Sequence, residues 1–145
     1  MTRTDADPST TPSADRGIGI VGVDHVQLLM PVRGERDARR FYGDLLGLRE
    51  VPKPEMLADR GGCWFVGSGG TAIHLGLDQR FIAARRAHPC LIVTNLDVAR
   101  RVLADAGAPV QEDDSEAGIA RCYTVDPFGN RIELVDATDA GFTER

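Results

Sequence analysis

The chain has no apolar run near the roughly 20 residues a bilayer crossing needs, and its first residues are polar. A membrane span and a secretory leader are therefore not expected, and the reading places the protein in the cytoplasm. It also lacks any excess of positive charge: 17 Lys and Arg stand against 22 Asp and Glu, a net charge of -5. Without a basic footprint there is little to draw it to a phosphate backbone, so nucleic acid is not an expected partner. Cysteine is scarce as well. Cys63, Cys90 and Cys122 are an odd number at wide spacing with no CxxC pair, which excludes a disulfide framework or a zinc knuckle and leaves three reduced thiols. None of these absences threatens folding, because 145 residues with 42% hydrophobic and 27% charged side chains can bury an ordinary single-domain core.

Residues 1–18 read as a flexible tail, since Met1 to Arg16 are mostly Thr, Ser, Asp, Ala and Pro with no periodic apolar positions. Residues 138–145 form a second tail, leaving one domain over 19–137. Gly19 to Met30 contains IVGVDHVQLLM, whose apolar and β-branched density ahead of Pro31 predicts a strand carrying His25. From Glu35 to Gly47, the spacing of Ala38, Phe41, Tyr42, Leu45 and Leu46 predicts an amphipathic helix ended by glycine. Three strands follow, around Leu48 to Val51, Gly62 to Val66 and Thr71 to Leu77, the last two joined by a Gly67-Ser68-Gly69-Gly70 turn.

This order then repeats. Ala38-Arg39-Arg40 recurs as Ala99-Arg100-Arg101 and helix-ending Gly47 as Gly107. Cys63-Trp64 answers Cys122-Tyr123, Ile73-His74-Leu75 answers Ile132-Glu133-Leu134, and His25 answers His88, all in one register with small insertions. The second unit runs as strand Cys90 to Val93, helix Leu96 to Ala106, and strands near Val110, Ala120 to Val125 and Arg131 to Val135. The fold expected is α+β, two tandem βαβββ modules (about 19–80 and 88–137) whose curved mixed sheets form a cleft. A four-stranded sheet with one helix leaves a face uncovered, so two modules must combine to bury it, within one chain or across a dimer.

The segments VDHVQL, ARRFYGDLLGL, AIHLGL, AHPCLIVTNLDVARRVLADAG and DPFGNRIELVD together resemble the vicinal oxygen chelate superfamily, over about residues 19–137. That superfamily includes glyoxalase I, methylmalonyl-coenzyme A epimerase, fosfomycin-resistance thiol transferases, extradiol dioxygenases and bleomycin-binding resistance proteins. The resemblance implies metal ligands on the first and last strands of each module, here His25, His74, His88 and Glu133, and implies a homodimer. Imidazole and carboxylate donors suit a divalent Zn, Ni, Co, Mn or Fe ion with positions left open for substrate oxygens. In glyoxalase I an acidic residue stands in the place of His74, so that ring is read as a fourth ligand, an acid or base behind the ligands, or a neutral lining of the cleft. Pro89 puts His88 at the very start of its strand.

Strand alternation turns Glu133 into the cleft, away from Ile132 and Leu134. Arg121 and Tyr123 share one face, and one of Trp64 and Phe65 packs the core while the other faces the cleft or the interface between modules. Arg121, Tyr123 and Trp64 are the expected substrate-binding residues; Arg60, Arg80, Arg85 and Arg86 add positive charge around the cleft for an anionic group. Asp126-Pro127-Phe128-Gly129-Asn130 reads as an architectural turn.

Three functions compete. A metal-dependent lyase or isomerase would polarise a small substrate bound through vicinal oxygens, with Glu133 or His74 moving the proton. An extradiol-type dioxygenase would use His25, His88 and Glu133 to hold non-haem iron. A metal-free binding protein would sequester an antibiotic or another aromatic compound in the same cleft.

Overall fold

A computed structural model describes residues 18–141. The expected tail over Met1 to Arg16 lies outside them, as does the end of the second tail. Two four-stranded sheets carry the architecture. The first has the order β1(Val26–Met30), β4(Ala72–Leu77), β3(Cys63–Val66), β2(Arg49–Val51); the second has β5(Cys90–Val93), β8(Arg131–Asp136), β7(Arg121–Val125), β6(Gln111–Asp113). In each, the first strand runs parallel to the last and the other pairs are antiparallel, so the duplication read from the sequence is a duplication of topology. The fold is the expected α+β pair of βαβββ modules.

The helices differ from each other for local reasons. In the second module α2(Leu96–Asp105) is a regular helix, started by the Asn95 side chain accepting from Val98 N at 2.9 Å and closed by Gly107 at φ 73°. In the first, α1(Glu35–Ala38) gives way to a π-helical stretch, Arg39–Leu45, rather than one continuous α-helix. Its wider turn lets two consecutive aromatics, Phe41 and Tyr42, both enter the core, at 6% and 0% exposure. The first strand is shorter than expected. It begins at Val26, leaving Ile18, Ile20, Val21 and Val23 exposed before it.

One face of each sheet packs inward. Met30, Cys63, Phe65, Ile73 and Leu75 from one sheet join Cys122, Ile132 and Leu134 from the other, with Tyr42 and Leu103 of the helical segments, in one buried cluster. The modules are further tied by the DPFGN turn. The Asp126 carboxylate, 3% exposed, accepts from Tyr42 Oη, Asn130 Nδ2 and the amides of Phe128 and Asn130 at 2.8–2.9 Å. Asn130 Nδ2 also reaches Leu29 O in β1 at 2.8 Å. The turn is thus architectural, joining the second module to Tyr42 and to β1 of the first. On the open faces of the sheets Leu29 and Ile92 remain 38% and 46% exposed, each on the outer strand of its sheet.

Candidate functional site

Cross-strand register lines up two equivalent rows on the open faces. On the first sheet Gln27, His74, Trp64 and Val51 are successive neighbours; on the second Cys90, Glu133, Tyr123 and Gln111 are. Alternation puts Phe65 in the core at 0% exposure and leaves half-buried Trp64 on the open face, settling which of the two faces the cleft side.

On the first sheet three rings form a column. Trp64 stacks on His74 with centroids 3.9 Å apart and planes 2° apart, and His25 stacks on the other face of His74 at 4.1 Å. Burial in this column, and then the neighbouring His25, lower the His74 pKa, so its ring is neutral at pH 7. His25 precedes β1, and its Nδ1 lies 2.6 Å from Asp24 Oδ1. That partner accepts only, so it assigns the ring proton to Nδ1 and leaves Nε2 a bare lone pair when the ring is neutral.

The second sheet holds the other pair. His88 Nδ1 lies 2.5 Å from the Arg86 carbonyl oxygen, which again assigns a proton to Nδ1, while Nε2 faces Glu133 Oε2 at 3.0 Å. Two lone pairs cannot face each other at that distance without a cation between them, either a proton on Nε2 or something that replaces it. Pro89 fits this geometry: its carbonyl accepts from Glu133 N at 3.0 Å, fixing His88 beside the carboxylate at the entry to β5.

Glu133 is 8% exposed and doubly held, its other oxygen accepting from Arg121 Nη1 at 3.1 Å. Arg121 also pairs with Glu116, and Arg131 lays its guanidinium over the Tyr123 ring at 3.7 Å. The Tyr123 ring meets His88 edge-on at 5.4 Å, and its hydroxyl donates to Asp113 at 3.2 Å. Cys90, across from Glu133, has its thiol pushed up to about 11 by burial and by that carboxylate.

The structure therefore gathers the expected residues into two half-sites: His25, His74 and Trp64 on one sheet, and His88, Glu133, Arg121 and Tyr123 on the other. Among the described residues no three His, Cys, Asp or Glu come together as a metal cluster within the one chain. Arg60, Arg80, Arg85 and Arg86 are exposed, and among the described residues their side chains make no hydrogen bond to these rings or to Glu133; Arg86 meets His88 through its backbone carbonyl alone. Sequence reasoning missed Arg131, although it stands two residues before Glu133 and alternation places both on one face. It missed Asp24 too, where the signal was a carboxylate adjoining a candidate ligand.

A family model described as a glyoxalase-like domain matches residues 27–135. Among solved structures, a glyoxalase family protein from Bacillus anthracis is 46% identical, over 81% of this chain and 95% of that one, with a TM-score of 0.78. A lactoylglutathione lyase from Agrobacterium tumefaciens (20% identical, 86% and 99% covered, TM-score 0.63) is similar in fold. So is an antibiotic binding protein from a Streptomyces species (19% identical, 83% and 98% covered, TM-score 0.63). No curated protein matches.

Proposed function

Because the chain belongs to the glyoxalase-like domain family, we propose that it is a divalent-metal-dependent lyase or isomerase, acting as a homodimer on a small substrate that binds through vicinal oxygens. The observation that carries this reading is the facing pair of His88 Nε2 and Glu133 Oε2 at 3.0 Å, with the far side of the imidazole pinned by Arg86 O. Metal-binding histidines are oriented in this way, by an acceptor on the second ring nitrogen, and His25 has the same arrangement through Asp24.

His25, His88 and Glu133 would hold the ion, with His74 as the fourth candidate donor. Bound there, the ion would act as a Lewis acid on a substrate carbonyl. The remaining chemistry belongs to the chain. Arg121 fixes the position of the Glu133 carboxylate, while burial keeps His74 neutral, and either is placed to take a proton from a carbon beside that carbonyl. Trp64 and Tyr123 flank the two half-sites with flat apolar surface for the rest of the substrate.

The homodimer is supported by the way the candidate donors are divided: His25 and His74 lie together on one sheet and His88 and Glu133 on the other, an arrangement that a second copy would complement. The outer strands β1 and β5, with exposed Leu29 and Ile92, and the exposed Ile18–Val23 stretch give that copy apolar surface to cover.

A second reading, a metal-free binder of aromatic compounds, draws on the His25–His74–Trp64 column, which offers a ready stacking platform. Elemental analysis of untagged protein after titration with Zn, Ni, Co, Mn and Fe(II) separates the two. One ion per chain, lost in His88→Ala, is expected for the enzyme; protein that retains no ion yet binds aromatic ligands contradicts the metal-dependent reading.

A further inference from the structure

Beside the Glu133 half-site lies a cavity of about 370 Å³ that the chemistry above does not use. Arg85, Arg131, Gln111, Tyr123, Pro109 and Gly129 are among its lining residues, and no Asp or Glu is. In a chain of net charge -5 that is a local inversion of sign. Among the described residues, neither Arg85 nor Arg131 has a carboxylate within salt-bridge distance, whereas Arg39, Arg100 and Arg121 all do. The Arg131 guanidinium sits over the Tyr123 ring, Cζ 3.7 Å from the centroid, and among the described residues its N–H donors make no hydrogen bond. The phenol beneath adds no charge: burial raises its pKa, and its hydroxyl is turned to Asp113.

The cavity adjoins the half-site through Tyr123, whose ring touches His88 and whose strand neighbour is Glu133. Arg131 and Glu133 are alternate residues of β8 on one face, about 7 Å apart by strand geometry. We propose that this cavity is an anion subsite in which Arg131 and Arg85 take a carboxylate or phosphate of the substrate, while its vicinal oxygens lie toward Glu133 and His88. The assignment rests on the proposed function for what happens at the Glu133 end. It narrows the substrate class to short anionic molecules carrying the charged group one strand repeat from the reacting carbon.

The test needs neither metal nor turnover. Metal-free protein labelled with ¹⁵N is titrated with inorganic phosphate and, separately, with succinate, and the Arg131 and Arg85 side-chain Nε–Hε resonances are followed. Saturable shifts are expected with at least one of the two anions, and the one that binds identifies phosphate or carboxylate as the recognised group. Arg131→Gln should weaken that binding about tenfold and exposed Arg85→Gln about threefold, with Arg131→Lys intermediate. Because Arg85 is exposed, its variant keeps the fold whatever happens to Arg131→Gln. No saturable shift with either anion, or equal affinity in the wild type and both Gln variants, overturns the subsite. Anion binding in protein that never takes up metal would leave the subsite standing and remove the metal-dependent function instead.

Discussion

Removing one oxygen from the clasp between the modules tests how they are joined. Tyr42 is fully buried, and its hydroxyl donates to Asp126 Oδ2 at 2.8 Å. Tyr42→Phe keeps the ring among Phe41 and Phe65, opens no cavity larger than the oxygen, and leaves Asp126 with its three other donors. What is lost is one hydrogen bond to a buried carboxylate, about 1.5–3 kcal/mol. In a domain of this size each kcal/mol moves the unfolding midpoint by about 3–4 °C, so a fall of about 5–12 °C is expected by differential scanning calorimetry. Asp126→Ala strands four donors, Tyr42 Oη among them, and should cost more, on the order of 3–5 kcal/mol. A Tyr42→Phe midpoint within about 1 °C of wild type would refute the reasoning, because the clasp would then contribute nothing measurable.

Gly62 has φ 83° and an added Cβ would collide with the Leu75 carbonyl oxygen, so Gly62→Ala should lower stability by more than about 2 kcal/mol; a soluble variant with an unchanged melting curve would contradict this. The Cys90 thiol, held near 11 by burial and by Glu133, should alkylate slowly at pH 8, and Glu133→Gln should speed iodoacetamide labelling several-fold while buried Cys63 and Cys122 stay unreactive in the native protein. In metal-free protein, Trp64→Ala should raise the His74 pKa toward that of an ordinary histidine, read by NMR titration, because it removes the ring that desolvates the imidazole. For the wild type the sign follows: His74 binds its proton less readily folded than unfolded, so this contribution to stability is present above about pH 6.5 and is lost as pH falls through it, and His74→Gln should flatten that part of the profile.

Much of this was legible in the chain because the signals were local or repeated. Offsets near 60 between Cys63-Trp64 and Cys122-Tyr123, and between His74 and Glu133, reported topology directly, since a duplicated module must place equivalent residues on equivalent strands. Alternation alone turned Glu133 off the core face. The π-helical turn at Arg39–Leu45 was not legible: Phe41, Tyr42, Leu45 and Leu46 satisfy an α-helical spacing too, and only packing against the sheets selects the wider turn. Nor was the true start of β1, because Ile20, Val21 and Val23 have strand-like character but pair with no strand among the described residues. Pairing of the candidate donors two by two depends on how whole sheets sit, which no local pattern encodes. Arg131 escaped notice because its partner is a ring across the strand, not a neighbour in sequence.

The most direct test of the central claim, that two half-sites of different chains make one centre, is a mixing experiment with two defective variants. His25→Ala disables the first half-site and Glu133→Gln the second, and each alone should bind Co(II) without its tetrahedral or five-coordinate visible absorption. Unfolded together, refolded and re-mixed one to one, they should regain about a quarter of the wild-type absorption, since half of randomly formed dimers are mixed and each mixed dimer carries one intact site of two. Absorption no greater than that of either variant alone, in a sample that forms mixed dimers, would contradict the account.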